Sequence, residues 1–267
     1  MVMKRKLVLS VLFLLFSAVA VFSGYKIVSI LLEYRAGENT YSEVQQYVHL
    51  PEEDKVMDEE KVRPVVTAAP EEPEIMEDPV VFPEVDFEAL LEVNSDVVGW
   101  VYIEDTAINY PVVQGVDNRR YLSTMIDGTY NNAGSIFMDY RNQPDMSDPH
   151  TVLYGHNMKN QTMFEDITNY VDQAFYDAHP VGMFMTPDKN YQFEVVAGYV
   201  ANVADPAWQL EFFSDEDRMQ WLEDAMARSA FSSNTIPELG DRILTLSTCS
   251  YEYNNARFVL VGILKEY

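Results

Sequence analysis

From Leu7 to Tyr25 the chain carries no charged residue, a run of 19 positions close to its start. Coiled as a helix, such a run is about 28 Å long, near the hydrocarbon thickness of a bilayer. Apolar residues resume after Lys26 and continue from Ile27 to Leu32. Lys4, Arg5 and Lys6 precede the run, and Glu33 with a long acidic stretch follows it. This bias predicts a single-pass anchor over residues 7–32, with residues 1–6 in the cytoplasm and the rest outside the cell membrane. The competing reading is a cleaved signal peptide, with Ala18-Val19-Ala20 as a small-residue cleavage site. The uncharged run passes through that site, which argues for a retained anchor.

Residues 33–85 are expected to form an acidic, proline-containing extracellular stem. Extended by one residue to Asp86, the stretch holds 16 acidic against 4 basic residues, a surplus of 12. That is about half of the chain's formal net charge of −25. Six prolines (Pro51, Pro64, Pro70, Pro73, Pro79 and Pro83) remove backbone donors, and like charges repel. From about 51 to 84 the chain is therefore expected to be extended and mobile. The earlier part, Glu43 to His49, is compatible with a helix. The strongly acidic balance repels phosphate backbones and argues against a nucleic-acid partner.

From Asp86 to Tyr267 the pattern becomes that of a folded domain. Phe87–Val93 reads as a short helix. Runs rich in β-branched and aromatic residues follow, separated by turn residues: 97–103, 108–114, 135–138, 151–155, 191–203, 243–249 and 258–264. Helices are expected at 117–125, at 163–170 and at 214–230, where Met219, Leu222, Ala225 and Met226 recur at helical spacing. Many short strands with few helices predict a mainly β domain, a barrel or sandwich. Phe258–Leu264 is apolar on both faces, as a central strand would be.

Cys249 is the only cysteine, so no intrachain disulfide can form. In the run Ile243-Leu-Thr-Leu-Ser-Thr-Cys249, Leu244, Leu246 and Thr248 share one face of a strand. Ile243, Thr245, Ser247 and Cys249 share the other, more polar face. Cys249 thus ends a strand, which favours an accessible thiol over a buried one acting as a small hydrophobe. A thiol of ordinary pKa, about 8.5, is mostly protonated at neutral pH, so attack needs a nearby base or cation. Arg257 lies eight residues on, and a hairpin through 250–256 would return it beside Cys249. There it could stabilise a thiolate or an oxyanion, or it could form an ordinary surface ion pair. Of the four histidines, His49 falls in the stem, His150 in an acidic loop and His179 before Pro180. His156 ends the run Thr151–His156 after a glycine, which suits either a general acid/base or a structural role.

Taken together, these residues resemble the class B sortases. Thr245-Leu246-Ser247-Thr248-Cys249, with Arg257 on the next strand, is similar to that family's cysteine motif. Leu153-Tyr154-Gly155-His156-Asn157-Met158, then Met163-Phe164, resembles its histidine motif. Asp96–Trp100, Tyr110–Gln114, Asp117-Asn118 and Tyr121-Leu122 look like the start of its domain. The resemblance implies an eight-stranded β-barrel with added helices. It also implies a substrate-binding insertion at about 199–234 that carries the 214–230 helix. The implied activity is transpeptidation: cleavage of a C-terminal Asn-Pro-x-Thr-x sorting signal after Thr, through a cysteine thioester, and transfer to a cell-wall amine. Cys249 would be the nucleophile, His156 the acid/base and Arg257 the substrate or oxyanion contact. Asn118, Leu122 and Ser247 match positions that face the signal peptide. Partners would be secreted proteins bearing the signal and a peptidoglycan or pilin amine as acceptor, with no metal or other cofactor. A pilin polymerase using a lysine amine, a hydrolytic cysteine protease and a non-enzymatic surface-anchored binding domain are the alternatives. Loss or survival of activity in Cys249→Ala separates the last from the rest.

Retention of the anchor has a direct test. The protein is expected in the membrane fraction at its uncleaved mass, whereas a mature N-terminus near Val21 would show that the segment is a cleaved signal.

Overall fold

The computed structural model describes residues 2–51 and 80–267. The first helix, α1, runs from Val2 to Val44. Long and apolar enough to cross a membrane, it leaves Phe13, Phe16, Val21 and Leu32 exposed. It does not stop where the apolar run ends. Its last turns, expected within the stem, dock on the folded domain, where Tyr41 and Val44 are buried. The Tyr41 hydroxyl donates to the Gly134 carbonyl, and its ring meets Tyr110 edge-on at 5.3 Å. Gln45 Nε2 donates to the Asn109 carbonyl at 3.0 Å, and Asn131 Nδ2 to the Glu33 carbonyl at 2.9 Å.

After a short 3-10 turn, β1 (Val48–His49) pairs antiparallel with β2 (Glu84–Val85). The stem expected to be mobile falls mostly outside the described residues, but Glu84 and Val85 belong to this ribbon. Helix α2 (Phe87–Val93) follows, with the Asp86 carboxylate accepting from the Ala89 N–H at 3.0 Å. This is an N-cap that satisfies an otherwise free backbone donor.

Eight strands then close into a barrel in the order β10-β8-β7-β3-β4-β5-β6-β9. They are β3 (Val97–Tyr102), β4 (Asn109–Gln114), β5 (Ile136–Met138), β6 (His150–Tyr154), β7 (Val181–Met185), β8 (Asn190–Asn202), β9 (Arg242–Cys249) and β10 (Ala256–Glu266). The pairs β4·β5 and β6·β9 are parallel, and all other barrel pairs are antiparallel. Seven strands fall where the sequence pattern puts them. The eighth, β7, is hidden by Pro180 and Gly182, which read as a connection. Gly182 is there because Phe193 packs on it: a Cβ would lie 2.1 Å from the ring.

Two expected helices are shorter than their patterns. Over 117–125 the Asp117 carboxylate takes the Arg119 and Arg120 N–H groups at 2.9 and 3.0 Å, leaving only a 3-10 turn at Arg120–Leu122. A short polar side chain has outcompeted the helix for its own backbone. Over 163–170 a 3-10 turn at Asp166–Val171 leads into α3 (Gln173–Ala178), capped by Asp172. The third expected helix is α4 (Asp215–Ala227), capped by Ser214. The insertion between β8 and β9 spans 203–241 rather than 199–234, because β8 runs on to Asn202 and β9 begins at Arg242.

Trp221, Leu222 and Ala225 of α4 pack on Val196, Tyr199, Ile243 and Val261, on the outside of the barrel. Strand β9 is therefore buried on both faces. Leu244 and Leu246 join the main core, and Ile243 joins the α4 cluster. The more polar face is covered, with Thr245 and Ser247 both buried. Only the two ends of the strand, Arg242 and Cys249, are partly open to solvent.

Docking of α1 is predicted to stabilise the domain. Tyr41→Ala removes a buried ring and its hydrogen bond, and should cost about 2–4 kcal/mol in denaturant unfolding of the detergent-solubilised chain. An unchanged midpoint would show that the docked turns contribute nothing.

Candidate active site

Strand β9 is the spine of the site. Along β10 it pairs antiparallel with Arg257 directly opposite Cys249. The hairpin closes with the Ser250 N–H donating to the Ala256 carbonyl at 3.1 Å. Along its other edge β9 runs parallel to β6, with Tyr154 opposite Ser247. The ladder continues past β6, since the Gly155 N–H donates to the Ser247 carbonyl at 3.1 Å and Thr248 Oγ1 donates to the Gly155 carbonyl at 2.8 Å. His156 therefore leaves β6 beside Cys249. Gly155 is required by crowding, as a Cβ there would lie 2.5 Å from Ile136 Cδ1 and 2.7 Å from the Phe164 ring. Asn157 ties the two strand ends together, its Nδ2 donating to the Cys249 carbonyl at 3.0 Å.

His156 Nε2 lies 2.8 Å from the Leu122 carbonyl. A carbonyl only accepts, so this nitrogen carries a proton. The hydrogen bond with Cys249 raises the His156 pKa above its ordinary value, helped by the Leu122 carbonyl and opposed by burial and by Arg257. The same hydrogen bond lowers the Cys249 pKa against the effect of burial, and the charge of Arg257 adds to it. Both shifts favour thiolate and imidazolium. Among the described residues no ion pair involves Arg257, whose Nη1 donates to the Ala256 carbonyl at 2.8 Å. The ordinary surface ion pair weighed for it does not form there.

One cleft of about 280 Å³ is lined by all six residues singled out in the sequence: Asn118, Leu122, His156, Ser247, Cys249 and Arg257. The other histidines lie elsewhere. His49 is in β1, His179 is bonded to the Phe175 carbonyl, and His150 is wholly buried. Leu122 presents its side chain at the surface. Asn118 is held at both ends, its Nδ2 donating to Asp139 at 2.9 Å and its Oδ1 accepting from the Tyr140 N–H at 3.0 Å. Ser247 Oγ accepts from the Trp208 indole at 3.1 Å.

Sequence reasoning did not single out four residues of this constellation: Asp139, Tyr154, Asn157 and Trp208. Asp139 is fully buried just past the end of β5. Burial alone would raise its pKa, but three hydrogen bonds from Arg141, two from its guanidinium and one from its backbone N–H, and others from Asn118 and Tyr154 outweigh it and hold the carboxylate ionised. The carboxylate thus fixes Asn118 and Tyr154, two walls of the cleft. An acid followed two residues later by an arginine, at the end of an apolar run, was the available signal. For Trp208 the only signal was its place in the insertion expected to bind substrate.

The chain matches the sequence model of the sortase domain over residues 101–265. It is 30% identical to sortase B of Staphylococcus aureus (strain NCTC 8325 / PS 47) over 263 residues, 98% of either chain. To sortase B of Listeria monocytogenes serovar 1/2a it is 39% identical over 177 residues, 66% of this chain and 72% of that one. A solved S. aureus sortase B–substrate complex superposes with a TM-score of 0.64 at 35% identity, covering 67% of this chain and 84% of the other.

The coupling of thiol and imidazole can be read by alkylation. Iodoacetamide labelling of Cys249 followed over pH should have its midpoint below the value of about 8.5 for an ordinary thiol, and His156→Ala should move that midpoint up. A wild-type midpoint at or above the ordinary value would contradict the geometry.

Proposed function

Because the chain belongs to the sortase family, in its class B branch, we propose that it is a membrane-anchored cysteine transpeptidase of the cell surface. The observation that carries this reading is the convergence of three strand ends: Cys249 registered opposite Arg257, with His156 against the thiol. Residues 7–32 would anchor it with residues 1–6 in the cytoplasm. Residues 33–85 would form the extracellular stem and residues 86–267 the catalytic domain.

The substrate would be a secreted protein with a C-terminal Asn-Pro-x-Thr-x signal. Its extended peptide lies in the cleft among Asn118, Leu122 and Ser247. An S. aureus sortase B has been solved in complex with its substrate, which supports reading this chain as a substrate-binding enzyme. Cys249 Sγ attacks the threonine carbonyl carbon, and the developing oxyanion needs a donor. The Ser250 N–H is already bonded to Ala256, so this reading gives the role to the Arg257 guanidinium. His156 passes a proton to the leaving amine as the C–N bond breaks, and a thioester remains on Cys249. An incoming amine then gives its proton to His156, attacks the thioester carbonyl, and displaces the thiolate as the new amide forms. The acceptor would be an amine of peptidoglycan.

A fluorogenic Asn-Pro-Gln-Thr-Asn peptide, followed by mass spectrometry with the detergent-solubilised protein, tests this reading. Cleavage after Thr and a thioester adduct on Cys249 are expected, and both should vanish in Cys249→Ala. An added glycine-type amine should appear in the product. Water as the only acceptor would make the protein a hydrolytic protease, incorporation only of a lysine amine a pilin polymerase, and activity surviving in Cys249→Ala would remove the mechanism.

A further inference from the structure

His150 is wholly buried and takes no part in the chemistry above. It opens β6, and its ring lies 4.8 Å from Trp221 of α4. Both ring nitrogens are engaged. Nδ1 lies 2.6 Å from the Gln209 carbonyl, and Nε2 lies 2.8 Å from Thr245 Oγ1. The carbonyl only accepts, so Nδ1 carries the proton and Nε2 accepts from the threonine hydroxyl. Burial pushes the His150 pKa down to about 4, which keeps the ring neutral and this tautomer in place at physiological pH. The result is a directed bridge from β9 to the insertion, Thr245 to His150 to Gln209.

The residue before Gln209 is Trp208. Its indole N–H donates to Ser247 Oγ, two residues along β9 from Thr245. Together with Tyr154, Ser247 and Arg257 it lines a hollow of about 300 Å³, and these last three residues also line the cleft at Cys249. The insertion is thus fastened to β9 at two adjacent points. Beyond them hydrogen bonding to the strands lapses, and the insertion is held again where α4 packs on the barrel and Ser229 and Ala230 bond to Gly198. Among the described residues, 210–213 make no hydrogen bond to a barrel strand, and the Phe213 side chain is fully exposed.

We infer that His150 is a positioning residue for the substrate: by holding Gln209 on β9 it fixes Trp208 as a wall of the hollow that adjoins the cleft, and so sets which sorting-signal side chain fits against Tyr154 and Arg257. This rests on the reading of the cleft as the signal-peptide site. The reacting atoms do not touch His150, so its loss acts on binding. Asparagine places an amide donor near the position of Nδ1, so His150→Asn keeps the bond to Gln209.

The test uses the full chain in detergent with the Asn-Pro-Gln-Thr-Asn peptide, together with 19F NMR of protein labelled with 5-fluorotryptophan. The chain has three tryptophans, and Trp208→Phe assigns the Trp208 signal. In His150→Ala, KM should rise about three- to ten-fold, the worth of one hydrogen bond, with kcat nearly unchanged. The Trp208 signal should move or broaden while that of Trp100 stays. His150→Asn should restore most of the KM, and His150→Ala combined with Trp208→Ala should be no worse than Trp208→Ala alone. Should His150→Ala fail to fold, Thr245→Val breaks the bridge at its other end and should shift KM and the Trp208 signal in the same direction. An unmoved Trp208 signal in the folded variants, a fall in kcat at constant KM, or additive effects of the two alanine substitutions would overturn the inference. If the unaltered chain cleaves no peptide, the signal-peptide reading fails, and the 19F signals still decide whether His150 holds Trp208.

Discussion

Hydrogen bonding along the two edges of β9 is the constraint on which the rest depends. On one edge β9 runs antiparallel to β10, which places Arg257 opposite Cys249. On the other it runs parallel to β6, which delivers His156 to the same end. Strand register is discrete, and a slip of one residue turns every side chain to the opposite face. A slip along β10 would put Arg257 opposite Thr248, and a slip along β6 would carry His156 away from the thiol. Burial of both faces locks the register. Leu244 and Leu246 point into the barrel core while Ile243 packs under α4, and each large apolar side chain so buried contributes about 1.5–3 kcal/mol.

The same covering shapes the cleft. The insertion takes the outer face of β9 out of water, so the hydroxyls of Thr245 and Ser247 need partners, and they find His150 and Trp208. On the opposite wall the buried Asp139 does the equivalent work, gathering Arg141, Asn118 and Tyr154 around one carboxylate. A thiol at the end of such a strand is half withdrawn from solvent, which would ordinarily keep it protonated. The imidazole and guanidinium beside it reverse that effect. The lowered pKa of Cys249 is thus a property of three strand ends held together, each supplied by a different part of the chain.

Helix α1 joins the apolar N-terminal run to the domain without a break, and the Tyr41 hydroxyl and ring seat it on the barrel. Met158 and Met163, on the loop that follows His156, line the hollow between this helix and the barrel. The β1·β2 ribbon joins Val48 and His49 to Glu84 and Val85, so the chain on either side of the acidic proline-rich stretch is held at one place. Composition assigns 33–85 to a stem because it averages over charges. It does not register that Tyr41, Val44 and Val48 form an apolar stripe among them.

By itself the sequence determined what short-range physics controls. The strands from β3 to β6 and from β8 to β10 were legible because β-branched and aromatic runs bounded by turn residues have few other conformations. The hairpin that brings Arg257 back to Cys249 was legible because only a short turn separates them. Where local signals compete, the reading failed: Asp117 captured its own backbone and cut a helix to one turn, and Gly182 hid β7 because its purpose is to receive the ring of Phe193. Tertiary structure alone decided the rest. It alone set His156, rather than any other histidine, against a thiol far along the chain, covered the polar face of β9, and brought Asp139, Trp208 and His150 to the site. Such contacts depend on closing a barrel, and long-range closure leaves no period in the local pattern from which it could be read.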